Sequence, residues 1–216
     1  MKIINAGFQI LSDINGMEML KNIEYIARTC YKSEGMMTDL SAVKMVKSLI
    51  NRGHEAILEH EKISVKFIVD RGVSHELVRH RMASYAQEST RYCNYSKDKF
   101  GNELTFIRPY FWEYEPLHCP LIVWASAMEK AENAYFELIG MGVPPEQART
   151  VLPNSIKTEI VMTANLREWR HFFKLRALGI TGKPHPQMLE VTVPLLAEFK
   201  ALIPVVFDDL IVGENL

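Results

Sequence analysis

The order of helical and strand patterns most constrains how this chain folds. Helix-period segments stand before and after a few short strand candidates that do not alternate with them, which predicts an α+β architecture rather than a doubly wound parallel sheet. Lys2 to Leu11 reads as an opening strand, and Met17 to Tyr31 as a helix with Leu20, Ile23 and Ile26 inward. After Thr38, Val43, Val46, Leu49 and Ile50 share one helical face, with Gly53 where a C-terminal cap belongs. Ile63 to Val69 alternates as a half-buried strand does, and Asp70-Arg71-Gly72 leads into a helix expected from Ser74 to about Tyr85. Leu104 to Ile107 is a short strand candidate, Pro120 to Ile139 is the longest helical pattern, and Pro144-Pro145 opens a short helix that Pro153 ends. Thr158 to Thr163 is β-prone, Asn165 suits the N-cap of a helix from Leu166 to Arg176, and Gln187 to Leu202 forms the last helix. No repeat or Gly/Ser-rich linker interrupts the pattern. The chain therefore reads as one domain over residues 1–216, a small, largely antiparallel central sheet surrounded by helices.

Charge and cysteine usage narrow the class. Lys plus Arg number 25 and Asp plus Glu 26, a net charge of −1, without the basic excess of a nucleic-acid binder. Any bound anion must be held by a local cluster. Cys30, Cys93 and Cys119 are widely separated and form no C-x-x-C pair, so neither a disulfide framework nor a cysteine zinc site is expected. No signal-peptide core and no run of about 18 apolar residues is present. The expectation is a reduced, cytoplasmic protein with no membrane association.

The densest polar stretch runs from Arg79 to Tyr92, where Arg79, His80, Arg81 and Arg91 are interleaved with Ser84, Ser89 and Thr90. Arginine presents a planar fork that matches phosphate oxygens, and hydroxyls fill the remaining acceptor sites. On a helix, Arg79, His80 and Arg81 point about 100° apart, which suits a ligand with several polar parts better than one small anion. Taken alone, an Arg-His-Arg triplet is more often a solvated cationic face. An RNA-binding module is the competing reading, disfavoured by the neutral net charge.

The whole stretch resembles the signature of the flavin-dependent thymidylate synthases. Arg79, His80, Arg81, Ser84, Ser89, Arg91 and Tyr92 occupy its fixed positions, with departures at Ala86 and Gln87. Gly53-His54-Glu55 with Glu59-His60 is similar to a second family segment, Ala56 replacing its usual hydroxyl residue. Arg149 with Val151-Leu152-Pro153, and Asn165-Leu166-Arg167 followed by His171 and Leu175-Arg176, resemble two more, in the family's order.

The resemblance implies an enzyme that methylates dUMP to dTMP. Methylenetetrahydrofolate would give the carbon, and FAD would carry the hydride from NADPH. It implies flavin-site roles for His54, Arg79, His80, Arg81, Gln87, Asn165, Arg167 and His171. It implies dUMP-site roles for Glu76, Leu77, Val78, Arg79, Gln87, Glu88, Ser89, Thr90, Arg91, Arg149 and Arg176. Glu76, where the family often has Gln, would meet the sugar or a base edge rather than the phosphate. Activating C5 of uracil builds negative charge on N3 and the flanking oxygens, and Arg176 matches the family position that stabilises it. A homo-oligomer, most plainly a tetramer with shared active sites, is also implied.

Two further patterns are set aside. His54 and His60 stand six apart, on opposite sides of a helix, so His54-Glu55 with Glu59-His60 is not the zinc pattern H-E-x-x-H, and no metal is expected. Leu117-His118-Cys119-Pro120 could activate a thiol, but a flavin mechanism needs no cysteine nucleophile. Trp124, Tyr135 and Phe136, at core-like spacing, read as packing or as a subunit interface.

Overall fold

In a computed structural model of the chain, which describes residues 1–97, 101–112 and 119–213, six strands and seven α-helices are formed among the described residues. In chain order they are β1 (Lys2–Ile4), β2 (Gly7–Ile10), α1 (Gly16–Thr29), α2 (Ser41–Asn51), β3 (Lys62–Asp70), α3 (Arg71–Leu77), β4 (Ala83–Gln87) and β5 (Thr105–Ile107). There follow α4 (Cys119–Gly140), α5 (Pro145–Ala148), β6 (Lys157–Asn165), α6 (Leu166–Arg176) and α7 (Pro186–Leu202). The α+β expectation holds: one sheet has the order β2-β3-β6-β4, and a separate pair joins β1 to β5.

The central strands are antiparallel. The Leu166 amide donates to the Glu61 carbonyl at 3.0 Å, and the Arg71 amide donates to the Asn154 carbonyl at 2.8 Å. The start of β3 thus faces the end of β6, and its end faces the start of β6. β6 alternates throughout and β3 as far as Val69: Ile63, Val65, Phe67 and Val69 are fully buried, as are Ile160 and Met162. The β1–β5 pair is parallel, Ile3 opposite Phe106.

Two expectations are corrected. The opening segment is two strands, β1 and β2, in different sheets, because the chain leaves the ladder at Asn5-Ala6. The helix expected from Ser74 to Tyr85 is confined to α3, and Ala83–Gln87 is a strand. Asp70 starts α3 by accepting from the Val73 amide at 2.7 Å. The Tyr85 hydroxyl donates to the Leu77 carbonyl at 2.7 Å and so satisfies an acceptor at the end of α3. The Glu88 amide continues the ladder to the Glu159 carbonyl at 2.8 Å. Arg79, His80 and Arg81 therefore lie on a connection, and helical spacing does not set their directions.

The described residues form two compact units. The first is Met1–Gly7, Phe67–Arg79 and Tyr85–Val161; the second is Phe8–Lys66, His80–Ser84 and Met162–Leu216. In the first, Tyr95, Leu104, Phe106, Trp124, Met128, Tyr135, Ala148 and Ile156 make the core. Trp124 and Tyr135 thus serve as packing, with Trp124 donating its indole N–H to Ser155 Oγ at 3.0 Å. The Glu132 carboxylate accepts from the Leu104 amide at 2.8 Å and pairs with the N-terminal ammonium at 3.1 Å.

In the second unit the core is aromatic, with Trp169, Phe172, Phe173, Phe199 and Phe207 in mutual ring contact. Such pairs add about 0.5–1.5 kcal/mol each beyond area burial. Gly16 begins α1 against the end of α7: a Cβ there would stand 2.0 Å from the Leu202 carbonyl oxygen, so no other residue fits without backbone movement.

Candidate active site

Asn165 organises the second unit's site, because it ends β6 and caps α6. Its Oδ1 accepts from the Glu168 amide at 2.8 Å, which fixes the first turn. Positions Arg167, Glu168, His171, Lys174 and Arg176 follow along α6. A cavity of about 370 Å³ is walled by Glu55, Glu59, Met82, Asn165, Arg167, Glu168, His171 and Lys174. A second, of about 340 Å³, shares Met82 and Asn165 and adds Lys62, Arg81 and Ser84.

His80 is buried, with its ring edge against Phe172 at 4.9 Å and its centroid 5.7 Å from that of His171. Arg176 Nε donates to His80 Nε2 at 3.2 Å. A guanidinium only donates, so His80 Nε2 must be bare and the proton must sit on Nδ1. Nδ1 then donates to Glu168 Oε1 at 3.1 Å. Burial, with Arg176 and His171 adding to it, pushes the His80 pKa down to about 4, so the ring is neutral at physiological pH. Burial raises Glu168, and His171 opposes that shift.

The cavity walls carry both signs: Lys62, Arg81, Arg167 and Lys174 stand with Glu55, Glu59 and Glu168, Arg167 pairing with Glu59 at 2.5 Å and Lys174 with Glu55 at 3.9 Å. Arginine and lysine are the donor types that hold phosphate oxygens, and the polar side chains beside them can hydrogen-bond a heterocyclic ring. The ligand atoms of His80, Glu168 and His171 lie within 4.8 Å of one another. Both His80 nitrogens are already engaged, and a guanidinium at hydrogen-bond distance opposes a bound cation.

The first unit holds a smaller pocket of about 230 Å³, lined by Arg71, Thr90, Arg149, Thr150 and Leu152. Arg149 Nη1 donates to Thr90 Oγ1 at 3.2 Å, and Arg71 Nη2 to the Glu88 carbonyl at 3.1 Å. Arg71 Nε is buried and has no hydrogen-bond partner among the described residues. A buried donor of this kind calls for an acceptor, from water or from a ligand.

The expected residues separate accordingly. His80, Arg81, Asn165, Arg167, His171 and Arg176 belong to the second unit, where all but His80 and Arg176 line a cavity. His54 is in the same unit but exposed and outside the cavity walls, where Glu55 and Glu59 stand instead. Glu76, Leu77, Val78, Arg79, Gln87, Glu88, Ser89, Thr90, Arg91 and Arg149 belong to the first. There Leu77 is buried and Val78 exposed. Gln87 Nε2 donates to Ser74 Oγ at 3.0 Å and Thr158 Oγ1 at 3.2 Å. The Glu88 carboxylate holds Tyr95 and Lys157 at 3.1 and 2.9 Å, an anchor for the following loop. Arg91 lies over the Tyr92 ring at 5.3 Å.

Sequence reasoning missed Arg71 and Glu168. Glu168 stands three residues after the Asn165 cap, where a carboxylate reads first as part of a capping box. The Leu117-His118-Cys119 pattern lies outside the residues whose side chains are described.

Residues 14–205 match the family model described as thymidylate synthase complementing protein. A flavin-dependent thymidylate synthase of Geobacter sulfurreducens is 34% identical over 190 residues, 85% of this chain and 78% of that protein. One of Pyrococcus furiosus is 36% identical over 160 residues, 71% of this chain but only 62% of that protein. A UMP/dUMP methylase from Streptomyces cacaoi, solved with 5-Br dUMP, superposes with a TM-score of 0.78 over 96% of both chains at 21% identity, which shows a shared fold. The chain belongs to the thymidylate synthase complementing protein family.

Proposed function

We propose that this chain is a flavin-dependent thymidylate synthase acting as one domain over residues 1–216. It methylates dUMP to dTMP with methylenetetrahydrofolate as carbon donor, NADPH as reductant and no cysteine nucleophile. The family match over 14–205 supports the reaction class. The observation that carries the site assignment is Arg176 held by its Nε on a neutral, buried His80 at 3.2 Å. So fixed, the guanidinium is preorganised, and preorganised charge stabilises developing charge without reorganisation at the moment of reaction. Its place is at the N3 edge of uracil, where it offsets the negative charge that builds as C5 becomes nucleophilic.

Arg149, Thr90 and Arg71 suit the nucleotide phosphate, the buried Arg71 Nε supplying a donor in need of an acceptor. Arg81, Asn165, Arg167 and His171, with Lys62 and Lys174, suit FAD. When bound, FAD supplies hydride transfer from NADPH. Arg79 and Gln87 carry over to the flavin and nucleotide together, and Glu76 to the sugar or base edge.

The purified protein is expected to show flavin absorption and to oxidise NADPH with release of tritium from C5 of labelled dUMP. Flavin binding without tritium release would mark a member that has lost methylation, and absence of both would overturn the reading.

We further propose a cytoplasmic homotetramer with shared sites. Supporting it, α4 exposes Ile122 and Val123 beside an apolar groove of about 750 Å³ lined by Ile3, Ile4, Leu121 and Trp124. Exposed apolar patches of this kind mark association surfaces, and D₂ assemblies close such contacts by symmetry. No helix among the described residues is long and apolar enough to cross a membrane. Sedimentation is expected to give a tetramer, and a monomer with full turnover would refute the shared-site arrangement.

A further inference from the structure

The Arg176–His80 contact exists only if His80 keeps one tautomer. The Nε2–H form would turn a donor toward the Arg176 Nε–H, and two donors facing each other repel. Burial denies His80 the usual remedy of exchanging partners with water, since the residue is 4% exposed and packed edge-on to Phe172. What selects the productive form is the acceptor on the other side of the ring, Glu168 Oε1 at 3.1 Å from Nδ1. Glu168 is itself held: its amide is capped by Asn165 at 2.8 Å, which fixes the first turn of α6. Arg176 ends the same helix, and its backbone carbonyl accepts from Thr192 Oγ1 at 2.7 Å. The backbone on both sides of the relay is thus set, and the imidazole is the element that chooses.

We propose that Glu168 is a positioning residue for Arg176, acting through His80: its carboxylate locks the Nδ1–H tautomer so that Nε2 accepts from the guanidinium. The proposal rests on the reading of Arg176 as the group that faces the pyrimidine. In this role Glu168 acts through His80 and not on a reacting atom. Its effect is to hold the guanidinium plane in one orientation, as an acceptor behind a histidine fixes which ring nitrogen is available.

The first test needs no turnover. In the full chain labelled with ¹⁵N-histidine at neutral pH, with His80→Gln used for assignment, His80 is expected to show a protonated Nδ1 and a bare Nε2. A protonated Nε2 in the parent protein overturns the proposal outright. In Glu168→Leu, which removes the acceptor, the tautomers are expected to mix or exchange. In Glu168→Gln, whose amide oxygen still accepts, the parent pattern is expected to return.

Kinetics gives the second readout. Glu168→Leu should lose between about 10-fold and 10²-fold in kcat for dUMP methylation, with KM for dUMP changing less. Glu168→Gln should rescue most of that loss. Equal losses in the Leu and Gln variants, or an unchanged tautomer in Glu168→Leu, would overturn the positioning role. Failure of the underlying reading looks different: Arg176→Lys would then turn over normally while the tautomer pattern stood as expected.

Discussion

Arg176→Lys is expected to fold, retain flavin and lose turnover by about 10²-fold or more, the usual loss when a preorganised charge contact is removed. Folding is spared because what holds this position is backbone: the Arg176 carbonyl accepts from Thr192 Oγ1 at 2.7 Å. Chemistry is not spared. The guanidinium donates its Nε–H to His80 Nε2 at 3.2 Å, and its remaining donors lie in the same rigid plane. An ammonium is a single point, so it holds the histidine or meets the pyrimidine edge, and it fits neither in a plane. A loss of 10²-fold corresponds to about 2.7 kcal/mol of transition-state stabilisation. Steady-state turnover, with flavin absorption measured on the same sample, checks the expectation. Near-normal turnover would move the charge-stabilising role to another residue. Cys119→Ala is the opposing control: it is expected to keep activity, and its inactivity would reopen a cysteine nucleophile.

What could be read from the sequence was what local periodicity encodes. The alternation of Ile63 to Val69 became the fully buried face of β3, and the Asn165 cap proved correct to the residue. The misread segment, Ser74 to Tyr85, contains nothing that forbids a helix. It ends at Leu77 because Ala83–Gln87 joins β6 as a strand, and that partner is provided by residues far along the chain. The candidate site divides the same way. Arg79 to Arg81, Arg149 and Asn165 to Arg176 were visible as motifs, yet the relay through Glu168 was not. Glu168 and His80 are 88 positions apart, and neither periodicity nor capping chemistry links them. His54 follows Gly53, whose φ is +73°, and stands exposed outside the cavity walls, whereas Glu55 and Glu59 line them.

Arg170 illustrates how much stability such long-range partners carry, and Arg170→Ala is expected to cost about 3–5 kcal/mol, the range for breaking a buried ion pair from one side. The side chain is 2% exposed. Its Nη1 and Nη2 each meet an Asp209 carboxylate oxygen at 2.7 Å, its Nε meets Glu55 at 3.1 Å, and Nη1 also donates to the Val206 carbonyl. The fork therefore ties α6 to the 55–60 turn and to the chain beyond α7. Asp209 is half exposed and regains water when Arg170 is removed, so its share is small. The Val206 carbonyl would lose that donor, and Glu55 its buried counter-charge, and these carry most of the cost. Arg170→Lys should fall between, because one ammonium cannot reproduce the fork. The pH dependence has a definite sign. The Arg170 hydrogen bond holds the Asp209 carboxyl below its ordinary range, so the pair's contribution is complete above that range and fades as pH falls through it. Denaturant unfolding of the three proteins at neutral and acidic pH measures this. An Arg170→Ala loss below about 1 kcal/mol would show that the buried fork is a neutral replacement for apolar packing rather than a brace. A large loss would also loosen Glu55, which walls the cavity of about 370 Å³ in the second unit.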